Sequence, residues 1–402
     1  MNLEEIKDNV IYIVDNNLHL ESKGLKPYTI CLEGGHGIGK TAIIEEIALQ
    51  RGMNFTKINL GAFEEVGDLT GFPIKKYAMK NLEGEEIQVA EASLEAHMVA
   101  GYKLVPGSDP VMDFAIPSWV PREEDGPTML LLDDYSRANQ LVIQATMELL
   151  DKGQLGTWAI PKGCQIVLTS NPDNGEYSVS SMDSAQKTRF ITFQTEFDVK
   201  LLATHMEEVG VRDEFINFAL LNPEMFVENK NKSNATGRTY MAFARTLESL
   251  PNLGSDNALV RALDIASGIF DDKDNIVGEQ FSMFINNKLD KLITPHDLVN
   301  KKWEDVSKEL ERTIGDIDSD GYRADIASTI TFRLVNHILL EFAKPGSNAN
   351  LYVDRILKIV NNKKTILAMD LVYALANKLF MKHAGRVSKL LTDDKFKHML
   401  LS

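Results

Sequence analysis

The sequence predicts an α/β protein in which a doubly wound parallel sheet of five strands is followed by an α-helical region. Short apolar runs alternate with helical segments over the first half of the chain, and a glycine-rich loop joins the first run to a helix. From Asp198 onward the apolar residues recur at helical spacing. The five predicted strands are residues 28–33, 55–60, 129–134, 165–172 and 191–193.

The composition is that of a globular protein with more than one domain. A length of 402 residues is enough for two or three domains, and 44% hydrophobic residues is ordinary for packed cores. The net charge of −15 argues against broad, sequence-independent binding of nucleic acid, but it leaves room for a locally basic pore or groove. We predict four segments: an N-terminal helix and linker (1–24), an α/β core (25–197), a helical segment (198–300) and a helical C-terminal region of unassigned role (301–402).

The compartment is predicted from three features. Cys31 and Cys164 both lie in predicted strands, where buried thiols in a reducing compartment are expected rather than a disulfide or a metal site. The N-terminus lacks a signal-peptide pattern, because acidic and basic residues interrupt it early. No apolar run approaches the roughly 18 residues that a membrane helix needs. We therefore predict a cytoplasmic protein with no membrane partner.

The glycine-rich loop fits the phosphate-binding P-loop, G-x-x-x-x-G-K-[ST], between a predicted strand and a predicted helix. Its glycines allow backbone N–H groups to face an anion, and the helix N-terminus adds positive potential there. Lys40 is expected to reach the β- and γ-phosphates of a nucleotide, and Thr41 to ligate Mg²⁺. The predicted nucleotide-binding residues are Gly35, His36, Gly37, Ile38, Gly39, Lys40 and Thr41.

Two other strands end in polar residues. The apolar strand 129–134 ends in Asp133 and Asp134, at the sheet edge where open α/β sheets bind ligands. Asp133 is interpreted as the carboxylate that holds Mg²⁺, and Asp134 as the group that orients an attacking water. An alternative is that one of them only caps the following helix, 138–150. Asn171, at the carboxyl end of strand 165–172, is placed to reach the γ-phosphate or its water.

Residues 74–127 are less regular, with a helix expected over 87–100. The proline-punctuated stretch around Trp119 is either a surface for a neighbour or substrate, or a packed connection anchored by that tryptophan. Residues 153–161 predict a hairpin that carries Trp158.

The helical region offers one more candidate site residue. Thr236 is predicted to cap a helix that runs to about Ser249, which puts Arg238 in the first turn. Because a cation is unfavourable at a helix N-terminus, a ligand-facing role is indicated, with a solvated surface arginine as the alternative. Thr294 followed by Pro295 predicts another helix start.

The order of these motifs resembles an AAA+ ATPase, and within that group it is most similar to the MoxR branch. Three passages carry the resemblance over about residues 25–300: Leu132 to Ala138, Gly67 to Gly71, and Asp183 to Phe190. They are similar to the branch's D-E-I-N-R-A signature, its D-L-x-G segment and its stretch ending in D-R-F. The resemblance implies that 25–197 is the ATPase core and 198–300 the lid.

The resemblance also implies roles at individual positions. Asn171 matches sensor 1, and Arg238 matches the sensor 2 arginine of the lid. Arg189 stands where such proteins carry the arginine finger that reaches into the neighbouring subunit's site, with Lys187 as a second candidate. In one departure, Asp134 stands where glutamate is usual, which favours slow hydrolysis. In another, Gly237 replaces the proline that often precedes the sensor 2 arginine.

An arginine supplied in trans implies a homo-oligomeric ring, most often a hexamer in this superfamily. The leading interpretation is an ATPase that uses ATP and Mg²⁺ to remodel or activate a protein partner, often one with a von Willebrand A-type domain. One alternative is an ATP-driven motor on nucleic acid, which needs a basic pore; the nearby candidates are Lys75, Lys76, Lys80 and Lys103. Another alternative is a nucleotide-dependent scaffold that barely hydrolyses ATP.

Overall fold

The chain folds into two compact units, Met1–Phe197 and Asp198–Ser402. The structure is a computed structural model. It describes residues 1, 3–172, 188–226, 235–270, 275–317, 319, 321–362, 367–394 and 396–397. The predicted segment boundaries at residues 24 and 300 stay predictions.

A five-stranded parallel sheet forms the centre of the first unit, and it confirms the predicted fold class. Its strands are β1 (Thr29–Glu33), β2 (Asn54–Asn59), β7 (Thr128–Asp133), β10 (Cys164–Ser170) and β11 (Phe190–Gln194). Their spatial order is β11-β1-β10-β7-β2. The three inner strands are nearly continuous apolar runs, as expected for parallel strands that are covered on both faces.

Helices pack beside this sheet, and a buried amide fixes the first of them. The Asn17 side chain donates to the Tyr28 carbonyl and to Gln165 Oε1 at 2.8 Å each, and accepts from the Tyr28 N–H. The N-terminal helix is therefore tied to the starts of β1 and β10. The described helices of this unit are α1 (Leu3–Ser22), α2 (Lys40–Gln50), α3 (Val66–Thr70), α4 (Leu94–Val99) and α5 (Gln140–Lys152).

The stretch of sequence between β2 and β7 forms a second, antiparallel sheet. One of its strands contradicts a prediction made from the sequence. The helix predicted over 87–100 is wrong, because residues 86–90 form a strand and helix α4 occupies only 94–99. Ile87 and Val89 alternate with polar residues, and they pair with Met79 and Tyr77 of the neighbouring strand. The four strands are β3 (Pro73–Lys80), β4 (Glu86–Ala90), β5 (Lys103–Leu104) and β6 (Val111–Phe114).

The predicted hairpin is present as β8 (Gln154–Leu155) and β9 (Trp158–Ala159). Trp158 is buried, donates from Nε1 to the Thr70 carbonyl at 2.8 Å, and meets Trp119 edge-on at 5.9 Å between ring centroids. Trp119 Nε1 in turn donates to the Asp68 carbonyl at 3.4 Å. Of the two interpretations of the Trp119 stretch, the contacts favour the packed connection.

The second unit is helical throughout its described residues, apart from turns and connections. Thr236 caps its helix as predicted, since its hydroxyl accepts from the Thr239 N–H at 3.2 Å, and Thr294 does the same for Asp297 at 3.1 Å. The helices are α6 (Val199–Glu208), α7 (Asp213–Leu221), α8 (Gly237–Leu247), α9 (Asp256–Phe270), α10 (Ile276–Asn286), α11 (Pro295–Asn300), α12 (Trp303–Ile314), α13 (Ala324–Ala343), α14 (Ala349–Val360) and α15 (Met369–Val387).

Two groups of buried apolar side chains stand out in this unit, one of aromatic rings and one that is mainly aliphatic. Phe281 stacks on Phe215 at 5.3 Å between centroids and meets Phe218 and Phe243 edge-on. A larger aliphatic cluster extends from Leu292 to Phe396 and thus crosses residue 300. Helices on both sides of that position bury their apolar faces in one core.

A buried arginine joins three helices of the second unit. Arg333 of α13 is 4% exposed. It pairs with Glu207 of α6 at 2.9 Å and with Asp213 of α7, and it donates to Asn217 Oδ1 at 2.9 Å. Burial raises the pKa of the Glu207 carboxyl against the lowering effect of Arg333. Removing one partner of these buried ion pairs would therefore destabilise the helical unit.

We expect Arg333→Met to destabilise the helical unit by about 3–5 kcal/mol, because the buried Glu207 loses its counter-ion. Urea unfolding followed by far-ultraviolet circular dichroism would measure the loss. Arg312→Ala, which removes an exposed arginine of α12, is the control and should change stability by less than about 0.5 kcal/mol. Equal stability of the two variants would show that the buried pair contributes nothing.

Candidate functional site

The loop between β1 and α2 is built around glycine conformations. Gly37 (φ 69°) and Gly39 (φ 102°) adopt the left-handed region, which glycine enters without steric cost. Gly39 is the N-cap of α2 and has no side chain with which to cap that helix end. The first turn of α2 also has no acidic side chain. The helix N-terminus thus keeps its positive potential for an anion.

Gly34 opens this loop where another residue would not fit. A Cβ at Gly34 would lie 1.8 Å from Thr195 Oγ1 and 2.6 Å from the Thr195 carbonyl oxygen. Thr195 is held there by the Glu33 carbonyl, which accepts from its backbone N–H at 2.7 Å and from its hydroxyl at 2.9 Å. Thr195, which follows β11, is therefore in close contact with the first residue of the loop.

Lys40 folds back over the loop that precedes it. Its ammonium donates to the carbonyls of Gly34 and Gly35, each at 2.7 Å, and lies 3.5 Å from Asn171 Oδ1. The residue is 8% exposed. The positive charge therefore sits at the mouth of the loop, where phosphate oxygens can replace the carbonyl acceptors.

Asp133 ends β7 beside the loop and has a partner on each carboxylate oxygen. Oδ2 lies 2.7 Å from the Lys57 ammonium, and Oδ1 accepts from the Thr169 hydroxyl. Burial raises the pKa of the Asp133 carboxyl, but the hydrogen bonds from Lys57 and Thr169 outweigh it, so the pKa lies below its usual range. Asp133 is thus an anion at neutral pH.

Asp134 turns away from the strand in a left-handed conformation (φ 55°, ψ 36°). Such geometry in a non-glycine residue is uncommon, although aspartate tolerates it better than most. Its N–H donates to Thr169 Oγ1 at 3.0 Å, and its carboxylate accepts from Asn171 Nδ2 at 3.3 Å. The alternative of a helix cap fails, because Asn139 caps α5 by accepting from the Val142 N–H at 3.0 Å.

Asn171 joins the lysine to the second aspartate. Its side-chain oxygen faces Lys40 and its side-chain nitrogen faces Asp134, so one amide contacts a cation and an anion. The residue is 4% exposed, and its backbone N–H donates to Ser136 Oγ at 3.0 Å. These contacts fix which way the amide points.

The two arginine candidates belong to other elements of the chain. Arg189 immediately precedes β11, at the end of the sheet opposite the P-loop, and its Nε donates to Asp151 Oδ2 at 2.7 Å. Its own P-loop is therefore out of its reach. Arg238 is exposed in the first turn of α8, in the second unit. Lys187, the second candidate for the contact in trans, lies outside the described residues.

Three residues that contact the predicted site residues were not predicted from the sequence. They are Lys57, Thr169 and Ser136. Lys57 and Thr169 bind Asp133, and Ser136 accepts from Asn171. Thr169 and Ser136 each lie within three residues of a predicted site residue, so proximity to the strand ends is a usable signal. Lys57 lies inside β2, and only the pairing of β2 with β7 brings it to Asp133.

The residues present fit a nucleotide with a divalent cation. Among the described residues, no cluster of three or more His, Cys, Asp or Glu side chains can bind a metal by itself. Magnesium in proteins commonly uses one or two carboxylates together with substrate phosphates. Thr41 at the start of α2 and Asp133 at the end of β7 are the residues that would hold it, and the glycine loop offers the anion cradle.

Comparisons with known proteins give likenesses among solved structures. No protein-family model matches the chain, and no curated protein is significantly similar to it. RuvB of Thermotoga maritima, in one of its point variants, is 15% identical over 66% of this chain and 72% of its own, with a TM-score of 0.34. Another RuvB structure, titled a Holliday junction branch migration motor, is 15% identical over 65% of this chain and 69% of its own, with a TM-score of 0.32.

A protein of Cytophaga hutchinsonii with a provisional assignment as an ATPase is 18% identical over 52% of this chain, with a TM-score of 0.31. The match spans 50% of that protein's length. In the described part of the chain, no helix combines the length and apolar character needed to cross a membrane.

We expect Gly34→Ala to cost about 1–3 kcal/mol of stability, because the added methyl group collides with Thr195. Gly268→Ala in the interior of α9 is the matched control. A Cβ at Gly268 meets no atom within 4 Å, so this variant should gain about 0.4–1 kcal/mol. Thermal unfolding of both variants beside the wild type checks the difference, and a neutral Gly34→Ala would contradict the close approach.

Proposed function

We propose that this chain binds and hydrolyses ATP at the P-loop as a MoxR-like AAA+ protein. The observation that carries the proposal is that Asn171 contacts both Lys40 and Asp134, next to the anionic Asp133. A phosphate-binding cation and a water-orienting carboxylate are thereby held on the two sides of one rigid amide. Phosphoryl transfer to water needs this kind of positioning and charge neutralisation more than covalent chemistry.

Binding of the triphosphate begins with Lys40. Its ammonium exchanges the carbonyls of Gly34 and Gly35 for phosphate oxygens, and the backbone N–H groups from Gly35 to Thr41 line the same cradle. Thr41 and Asp133 are the residues that would hold Mg²⁺, which would neutralise charge developing on the phosphates. Because Asp133 is already ionised, it needs no deprotonation to act as a ligand.

Hydrolysis relies on Asp134 and Asn171. Each carboxylate oxygen has two lone pairs, so Asp134 retains acceptor capacity for a water after its bond to Asn171. Asn171 keeps the carboxylate close to Lys40 and hence to the γ-phosphate. Asp134 is one methylene shorter than the glutamate of the resembled branch, which favours slow turnover.

The trans contact is proposed for Arg189. Its position away from its own P-loop supports action in a neighbouring subunit, and Asp151 positions its guanidinium. By the resemblance, the assembly is a homo-oligomeric ring, most simply a hexamer, in which Arg238 of the lid contacts the nucleotide. Its proposed partner is a protein client or a protein with a von Willebrand A-type domain.

We expect ATP turnover per subunit to rise with protein concentration, because an arginine supplied in trans requires assembly. Arg189→Ala should lower kcat by about a thousandfold or more. Steady-state phosphate release, measured over a range of protein concentrations, checks both expectations. Arg51→Ala removes an arginine that pairs with Asp15 on the surface of the same unit, and it serves as the control.

Two outcomes would redirect the proposal. Turnover that is independent of concentration and survives Arg189→Ala would make Arg189 a structural partner of Asp151. Strong stimulation by DNA, tested in the same assay, would favour the motor on nucleic acid.

A second expectation concerns the length of the carboxylate at position 134. Asp134→Glu should raise kcat by about tenfold, because the added methylene brings the carboxylate nearer to the attacking water. Asp134→Asn is the matched control and should abolish turnover while nucleotide binding persists. If slow wild-type turnover is unchanged in Asp134→Glu, the nucleotide-dependent scaffold becomes the better description.

A further inference from the structure

Lys57 places a positive charge against the proposed metal ligand. Its ammonium lies 2.7 Å from Asp133 Oδ2. Strands β2 and β7 are parallel neighbours, with Lys57 opposite Leu131 and Asn59 opposite Asp133. Because side chains alternate along a strand, Lys57 and Asp133 extend from the same face of the sheet, two residues apart in register. The ion pair is therefore a consequence of how the two strands align.

The other lysine of the site is engaged differently. Lys40 donates to Gly34 and Gly35, on the phosphate side of the loop, rather than to Asp133. The Thr169 hydroxyl occupies Oδ1 of Asp133, so Lys57 supplies the cation on the remaining oxygen. Each oxygen of the carboxylate thus has a partner before any metal arrives.

The two partners of this ion pair differ in exposure. The Asp133 side chain is 15% exposed and fixed at the end of an inner strand, whereas the Lys57 side chain is 42% exposed on an edge strand. A lysine has a long flexible stem and is strongly hydrated, so it can leave for water at little cost. An ammonium and a divalent cation repel each other when both lie against one carboxylate.

We propose that Lys57 is a built-in counter-ion of Asp133, which must release that carboxylate before it accepts Mg²⁺. Lys57 thereby sets the Mg²⁺ concentration that the site needs to bind nucleotide. The inference rests on the proposed function, because it takes Asp133 as the carboxylate that supports the metal. It deepens that function by naming the residue that regulates metal entry.

The test is a Mg²⁺ titration of the binding of a fluorescent, non-hydrolysable ATP analogue, read by anisotropy. Lys57→Met keeps most of the stem and removes the charge, and Lys57→Gln removes the charge and keeps a donor. Both should lower the midpoint Mg²⁺ concentration by about tenfold, which corresponds to about 1.4 kcal/mol. Lys57→Arg should stay within about twofold of the wild type, since its charge is kept.

Lys152→Met is the matched control, since it removes an exposed lysine of α5 that pairs with Glu148 in the same unit. Its midpoint should equal that of the wild type. Thermal unfolding in EDTA gives a second readout that needs no nucleotide. Lys57→Met should lower the Tm there, because Asp133 loses its partner, and Mg²⁺ with nucleotide should raise the Tm of Lys57→Met more than that of the wild type.

The outcomes separate the two proposals. If the wild type binds nucleotide with a clear Mg²⁺ requirement and both uncharged variants keep or raise the midpoint, the counter-ion role is overturned and the ATPase proposal stands. If the wild type binds no nucleotide at any Mg²⁺ concentration, the proposed function fails and the counter-ion role fails with it.

Discussion

The candidate site depends on keeping charged groups at the carboxyl edge of an apolar sheet. Buried charge is expensive unless a partner compensates it. Lys40 is compensated by loop carbonyls, Asp133 by Lys57 and Thr169, and Asp134 by Asn171. These partners come from the loop after β1, from β2, and from β10 and the loop that follows it. The register of the sheet, which the apolar strand interiors determine, is therefore what holds the polar edge together.

The sequence predicts those site residues that belong to a motif of adjacent residues, and it misses contacts between residues that are far apart in the chain. The P-loop, Asp133, Asp134 and Asn171 are each recognisable from a few adjacent residues, because a strand end or a glycine loop is a local pattern. The contact of Lys57 with Asp133 is not local, since it joins residues on two strands through their pairing. The left-handed turn at Asp134 was likewise not predictable, because it depends on Thr169 of another strand.

The same contrast between local patterns and long-range contacts holds for the fold. The five parallel strands are apolar and bounded by turns, so the sequence predicts them well. The stretch after Lys80 mixes a two-residue alternation at Ile87 and Val89 with helix-forming residues, and cross-strand pairing with Met79 and Tyr77 decides for the strand. In the helical unit, the pattern predicts helices but not the contacts of Arg333, which span more than a hundred residues of sequence.

The packing at Gly34 limits how this chain can vary over evolutionary time. A side chain there would meet two atoms of Thr195, its hydroxyl and its backbone carbonyl. A smaller residue at position 195 would remove the hydroxyl, but every amino acid brings the same carbonyl. No compensating substitution at 195 can therefore open room at 34. Homologues that keep this backbone arrangement should all retain glycine at this position, whatever happens to the residue that faces it.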